Sequence, residues 1–391
     1  MIAPSDQPSR VVVVAGRTKA ALYERLDHGL SWSEDELPQV ERTKHVHGLH
    51  PYLGKFIPQL VEVFLARHFV CGSIVLDPFA GSGTTLVEAN ANGIGAVGCD
   101  ISAFNCLLAS VKTERYSLPS LELALRGALA EAVGRVDVVS TESAGPWLEE
   151  WFAPRALADL VAYRRALDRL EAPSADVARI ILARSARSAR LTTHFDLDFP
   201  RTPATGSYHC FKHKRTCRPV EEAGKFLRRY TEDTIRRLRR FAELRTGAPV
   251  RIVHGDTRSL ELTCEAQGII TSPPYPGLID YHEQHRYAYE LLGLRERAHD
   301  EIGAASRGST RGALAEYVEA MTRALGNAVR PLRAGAPVVI VVNDSHGLYR
   351  GILEGAELEL VERITRHVNR RTGRRSGEFF EDVLVCSAPG Q

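Results

Sequence analysis

Short runs of β-branched and apolar residues alternate along most of the chain with longer stretches whose apolar positions recur every three to four residues. The runs predict strands at Ser73–Asp77, Gly95–Asp100, Pro249–His254, Gly268–Thr271 and Pro337–Asn343. The longer stretches predict helices, among them Thr84–Ala91 and Tyr317–Val329. Strands alternating with helices build a mostly parallel sheet with crossover helices. Two last runs, Leu358–His367 and Asp382–Ser387, are joined by NRRTGRRSGEFF, which is too short and too polar for a crossover. They predict a C-terminal antiparallel pair around a basic loop that carries Arg370, Arg371, Arg374 and Arg375. Near the start, VVVVAG (Val11–Gly16) predicts one more strand and turn, with no chemistry attached.

The sheet pattern is interrupted over residues 121–247, which read as a mainly helical insertion broken by PRTPATGS. Its last helix, Val220–Arg245, places Leu227, Tyr230, Thr234, Leu238 and Phe241 on one face and Arg229, Arg236 and Arg240 on another. Charge adds to this picture. Residues 151–246 hold 21 Lys+Arg against 11 Asp+Glu, a local excess of +10 in a chain whose total is +2. A polyanion-binding surface on a near-neutral body explains the asymmetry, and so does a solvated helical face.

Composition narrows the class without naming a function. The chain has 391 residues, 44% apolar and 25% charged, with no run approaching the ~20 apolar residues of a membrane span. Its opening MIAPSDQPSR lacks a basic segment followed by an apolar one, and its seven scattered cysteines make no disulfide framework. The expectation is a cytoplasmic protein with reduced thiols.

The candidate chemistry begins at SIVLDPFAGSGTTLVEANANGIGAVGCDIS (Ser73–Ser102). A buried strand ends at Asp77, a turn with Gly81 and Gly83 leads into a helix opened by Thr84 and Thr85, and a second strand ends at Asp100. Glycines let a backbone approach a ligand closely, and a carboxylate at the second strand end suits ribose hydroxyls. The turn lacks the lysine of a phosphate-binding loop and departs from GxGxxG, so neither a nucleoside triphosphate nor a dinucleotide is expected. Asp77 would repel phosphate and attract a cation. S-adenosylmethionine, with an ammonium, a sulfonium and a ribose, matches this set.

Ser272-Pro273-Pro274-Tyr275 follows another predicted strand. Proline cannot donate to a sheet ladder, so the pair ends the strand and leaves the Pro273 carbonyl with no competing donor from Pro274. A hydroxyl, a free carbonyl and an aromatic face suit a flat heterocycle bearing an exocyclic amine. A plain strand-ending turn with a packed tyrosine accounts for the same four residues.

Taken together, HGLHPYLGKFIPQL (His47–Leu60), DPFAGSGTT (Asp77–Thr85) and TSPPY (Thr271–Tyr275) resemble the amino-methyltransferases of DNA, which methylate cytosine N4 or adenine N6 from S-adenosylmethionine. The resemblance covers roughly residues 44–113 and 250–290. It implies a Rossmann-like class I methyltransferase fold. The catalytic domain would comprise residues 44–120 and 248–391, behind an N-terminal extension of residues 1–43. Carried over, Lys55, Phe56 and Pro58 border the methionine end of the cofactor, while Asp77 and the turn Pro78, Phe79, Ala80, Gly81, Gly83 hold its amino-acid part with Thr84 and Thr85. Asp100 with Ile101 takes the ribose, Asp256 with Thr257 the adenine, and Ser272 to Tyr275 the target base. The serine that opens SPPY, with the H-x-Y-x-x-K-F-x-P form, leans toward cytosine N4.

The long insertion before SPPY resembles one permuted group of that family and implies a target-recognition role for residues 121–247. Within it, HCFKHKRTCRP (His209–Pro219) reads as a basic loop placing Lys212, Lys214, Arg215 and Arg218 on phosphates. Cys210 and Cys217 lack the C-x2–4-C spacing of a zinc site, so no metal is expected. Asp280, Tyr281, His282 and His285, just after the corner, belong either to the base pocket or to an ordinary helix start.

The reading that results is a DNA methyltransferase specific for cytosine N4, acting on a base flipped from double-stranded DNA. A cognate restriction endonuclease and a homodimer are possible partners. N6-adenine methylation, RNA base methylation and a non-catalytic nucleic-acid-binding module are the alternatives.

Overall fold

The computed structural model describes residues 27–390 apart from 136–143, 195, 199, 262–264 and 369–377. The expected strand at Val11–Gly16 and the arginines of the C-terminal loop lie outside the described residues. Strands and main helices in chain order are α1 (Pro58–His68), β1 (Ile74–Asp77), α2 (Thr84–Ala91), β2 (Gly95–Asp100), α3 (Ala103–Thr113), α4 (Leu118–Arg135), α5 (Pro154–Ala166), α6 (Ser174–Ala189), β3 (Tyr208–Cys210), β4 (Arg215–Cys217), α7 (Gly224–Ala242), β5 (Val250–His254), β6 (Gly268–Thr271), α8 (Arg311–Val329), β7 (Pro337–Val342), β8 (Glu359–Val368) and β9 (Phe379–Ser387).

Seven strands form one sheet in the order β5-β2-β1-β6-β7-β9-β8. The first five are mutually parallel, and β9 runs antiparallel between β7 and β8. This is the α/β, mostly parallel arrangement expected. The central strands are buried on both faces, as parallel sheets covered by helices must be. Outside the insertion, two element starts shift by three residues or more, for local reasons. α8 starts at Arg311, ahead of Tyr317, because the Thr310 hydroxyl accepts from Ala313 N and caps it. β9 starts at Phe379 because Phe379 and Phe380 extend the ladder opposite Val368 and His367.

The topology decides where a ligand can sit. From β1 the chain moves to β2 on one side, while β6 pairs with β1 on the other. The strand order therefore reverses at β1, and the crevice beyond the carboxyl ends of β1 and β6 is the binding place of such sheets. The glycine turn follows β1 and the SPPY corner follows β6, so two segments nearly 200 residues apart meet there.

The helical insertion packs on the helices that flank the sheet and on the segment before α1. Leu125, Leu157, Ile181 and Leu238 from its helices share one apolar cluster with Val46, Val87, Phe104 and Leu108. As expected, Leu227, Thr234, Leu238 and Phe241 of α7 are buried, with Tyr230 at the margin. Asp159 of α5 accepts from Ala223 N and Gly224 N (2.8 and 2.9 Å), which sets the start of α7 four residues later than the periodicity predicts. From the far end of α7, Arg237 donates to the Thr43 and His45 carbonyls (3.0 and 2.8 Å), clamping the helix to the segment that leads into HGLHPYLGKF. No helix among the described residues is long and apolar enough to cross a membrane.

Candidate active site

The crevice at the switch point is a solvent-open cleft enclosing about 780 Å³, open solvent included. Its floor is the turn after β1. Gly81 sits at φ +50°, and a Cβ there would meet the Tyr52 hydroxyl at 3.0 Å. Gly83 sits at φ +78°, with Ala109 Cβ 2.9 Å from where its own Cβ would be. Both turn positions therefore require glycine. From behind, the buried Lys112 donates to the Ser82 carbonyl (2.5 Å) and pins the turn to α3.

Asp100, at the end of β2, closes one wall. Its Oδ2 accepts from Gly81 N (2.8 Å), and its Oδ1 accepts from Ser102 N (2.8 Å) and Asn105 Nδ2 (3.1 Å). Burial raises its carboxyl above the ordinary range, opposed by the Ser102 and Gly81 N–H bonds. Three bonds leave one lone pair of the carboxylate for a ligand.

Most of the cofactor residues anticipated from the motifs line this cleft: Lys55, Phe56, Pro78 to Gly81, Thr84, Asp100, Ile101, Asp256 and Thr257. Lys55 donates to the His47 carbonyl (2.9 Å), and burial lowers its ammonium to about 8. Asp256 is held by Arg258 (2.6 Å), and Thr257 donates to the Pro78 carbonyl (2.6 Å). Pro58, Gly83 and Thr85 stand behind the wall: Pro58 opens α1, and Thr85 donates to the Ile270 carbonyl (3.2 Å).

Asp77 is placed differently from its anticipated contact with a cation. It is fully buried and outside the cleft lining, and its Oδ1 accepts from Thr271 Oγ1 (2.6 Å) and Phe79 N (3.1 Å). The residue joins the ends of β1 and β6, and burial raises its carboxyl to about 6. A raised carboxylate stabilises the fold most below its unfolded value of 3.8, and this contribution is lost as pH rises through about 6. Asp77→Asn is therefore expected to gain stability relative to the parent between pH 4.5 and 7, by up to ~2 kcal/mol. Urea midpoints at both pH values check this, and a pH-independent difference overturns it.

At the SPPY corner, Ser272 and Pro274 line the cleft while Pro273 is buried. Ser272 Oγ donates to the Val341 carbonyl (3.1 Å), and Tyr317 donates to the Pro274 carbonyl (2.9 Å). Tyr275 is half-buried, and its hydroxyl donates to Glu381 (3.1 Å), which pairs with the buried Arg366 (3.2 Å). Its ring lies 6.4 Å from that of Phe379. Sequence reasoning missed Tyr52, Asn105 and Glu301 in the wall. It left Tyr281 open between the base pocket and a helix start; Tyr281 lines the cleft and stacks on Tyr52 (5.8 Å). His282 faces Glu301 instead. The signal for Tyr52 was legible, since it lies in HPYLGKF beside the anticipated Lys55.

The insertion presents the anticipated basic residues outward. Lys212, Lys214, Arg215 and Arg218 are exposed on the β3–β4 hairpin, and Arg229, Arg236 and Arg240 are exposed on α7. Arg236 is ion-paired with Asp233, so the stripe on α7 is partly compensated.

The donor set fits S-adenosylmethionine. Asp100 retains a lone pair for a ribose hydroxyl, Lys55 offers a cation for a carboxylate, and the glycine turn admits a ligand against its backbone. Among solved structures, a TrmN from Thermus thermophilus is similar at 13% identity and TM-score 0.35, covering 86% of this chain. The chain spans about half the length of that protein, 50%. An S-adenosylmethionine-dependent methyltransferase from Methanosarcina mazei is similar at 9% identity and TM-score 0.35, with 84% and 98% of the two chains covered. The profile of the N6/N4 DNA methylase family matches residues 20–110. The Type II methyltransferase M.MjaII of Methanocaldococcus jannaschii is 37% identical over 445 residues, covering 92% of this chain and 84% of the relative. On that likeness over nearly its whole length, the chain belongs to the N6/N4 family of DNA methylases, with S-adenosylmethionine as methyl donor.

Proposed function

We propose that this DNA methyltransferase modifies the exocyclic N4 amine of a cytosine flipped out of duplex DNA, and that residues 121–247 choose the sequence. The observation that carries the proposal is the hydrogen bonding of Ser272. Because its hydroxyl proton is given to Val341, Ser272 Oγ faces the cleft as an acceptor. The neighbouring Pro273 carbonyl accepts from no other described residue, whereas the Pro274 carbonyl is taken by Tyr317. Two adjacent acceptors match the two hydrogens of an exocyclic amine, on cytosine or adenine alike, and the choice of cytosine rests on the serine that opens SPPY.

When bound, S-adenosylmethionine supplies an electrophilic methyl group on a sulfonium. The protein's part is to hold the amine in line with that methyl group. Ser272 Oγ and the Pro273 carbonyl then stabilise the positive charge that develops on nitrogen. No side chain has to act as a general acid, because the leaving thioether is neutral. Lys55 has no carboxylate partner among the described residues, which suits it to the cofactor's carboxylate. Flipping the base costs a few kcal/mol, and stacking on Tyr275 returns roughly 1–3 kcal/mol. The hairpin lysines and arginines, with Arg229 and Arg240 of α7, supply phosphate contacts that hold the duplex.

Nucleoside mass analysis of duplex DNA incubated with enzyme and cofactor tests the proposal. N4-methylcytosine is the expected product. N6-methyladenine alone overturns the base assignment, and the absence of any methylated nucleoside overturns the reaction.

A further inference from the structure

We infer that His194, Cys210, His213 and Cys217 form a structural zinc site that staples the basic β3–β4 hairpin to the loop after α6. One ligand atom from each residue lies within 4.8 Å of all the others. Cys210 Sγ is 3.6 Å from His194 Nδ1 and 3.6 Å from His213 Nδ1, and Cys217 Sγ is 3.6 Å from His213 Nδ1. Tetrahedral zinc, with Zn–S near 2.3 Å and Zn–N near 2.0–2.1 Å, places sulfur and nitrogen ligands about 3.5–3.6 Å apart.

Hydrogen bonding alone explains the cluster less well. A neutral imidazole nitrogen has either one lone pair or one hydrogen, yet His213 Nδ1 faces two sulfurs. A single cation satisfies all four groups at once. A two-iron cluster would spread four ligands over two metals, wider than this set allows, so the S2N2 arrangement selects a mononuclear tetrahedral ion. Four protein ligands leave no open position, which makes the site structural and not catalytic. Two thiolates also neutralise the ion, so the lysines and arginines nearby do not oppose its binding.

The hairpin needs such a staple. Its strands are three residues each, they pair only with one another, and Phe211 at its tip is 76% exposed. An isolated two-stranded hairpin is marginal in water. The turn also holds Lys214 at φ +51°, a conformation that a residue with a Cβ adopts at a cost. That turn carries His213 back between the two cysteines. Tyr208 Oη accepts from His194 N (3.0 Å) and also lies 3.0 Å from His194 Nδ1, which ties the incoming loop to the cluster. The cysteine spacing conceals this arrangement in the sequence. The chain pattern is Cys210-x2-His213-x3-Cys217, and the fourth ligand lies sixteen residues before Cys210.

The other cluster of similar chemistry, His45, His47 and Glu88, is already engaged. His47 Nε2 bonds Glu88 Oε1 (2.6 Å), and Lys44 donates to the same carboxylate (3.0 Å).

Metal analysis of the full chain, purified without chelators, tests the site. The protein is expected to carry about one zinc per chain, and cobalt replacement is expected to give the strong visible bands of a tetrahedral thiolate complex. Cys210→Ser with Cys217→Ser is expected to lower zinc content at least tenfold, while His209→Ala, on the same hairpin outside the cluster, retains it. In the unsubstituted protein, zinc release is expected to follow titration of the two thiols by a mercurial, a measurement that needs no folded variant. An unsubstituted protein that takes up neither zinc nor cobalt overturns the inference. So does a double-cysteine variant that keeps its zinc.

Discussion

Asp100→Ala is expected to weaken S-adenosylmethionine binding about 100-fold, equivalent to ~3 kcal/mol, and to lower the melting temperature as well. The carboxylate holds Gly81 N and Ser102 N in the cleft wall, and neither donor has a replacement among the described residues. Its loss orphans both, at roughly 1–3 kcal/mol for each group that water cannot reach. The same change releases Gly81, whose left-handed backbone shapes the floor of the cleft. Asp100→Asn keeps one acceptor oxygen and places an amide against a backbone N–H, so an intermediate loss of about tenfold is expected. Calorimetric titration with the cofactor reads both variants. Parent-like affinity in Asp100→Ala would sink the assignment of the ribose to this wall.

The second large effect concerns Tyr275. Tyr275→Ala is expected to slow methylation of duplex DNA by about 5- to 150-fold, the equivalent of losing 1–3 kcal/mol of base stacking, with cofactor affinity unchanged. The phenol has a second role, because its hydroxyl anchors Glu381, itself held by the buried Arg366. Tyr275→Phe separates the two: it keeps the ring, removes the hydroxyl's contacts with Glu381 and Ser272, and is expected to cost tenfold or less. A substrate whose target base is mispaired should recover part of the alanine defect, since extrusion then costs less. A merely structural tyrosine would not respond to pairing in the substrate. Equal rates for Tyr275→Ala and the parent on duplex DNA would exclude the stacking role.

How much of this was legible in the chain depends on the range of each interaction. The strand runs, the glycine turn and the proline corner are local: β-branched periodicity, backbone conformations only glycine tolerates and the missing proline N–H each act within a few residues. Their positions therefore matched expectation to within a few residues, the largest shift among the strands being the three-residue earlier start of β9. Asp77 shows the limit. Its place at a strand end was readable, but its side chain turns inward to Thr271, a residue 194 positions away. Only the pairing of β1 with β6 creates that partner.

The sequence by itself determined the alternation of strands and helices, the three motifs and the basic excess of the insertion. Tertiary structure decided which motif residues line the cleft and which stand behind it. It also brought Tyr52 and Tyr281 together across the wall and delivered His194 to a hairpin whose two cysteines, by spacing, predicted no metal. The reason is that ligand sets and cleft walls are assembled across long loops. Their geometry depends on how packed elements meet, which residue spacing along the chain does not encode.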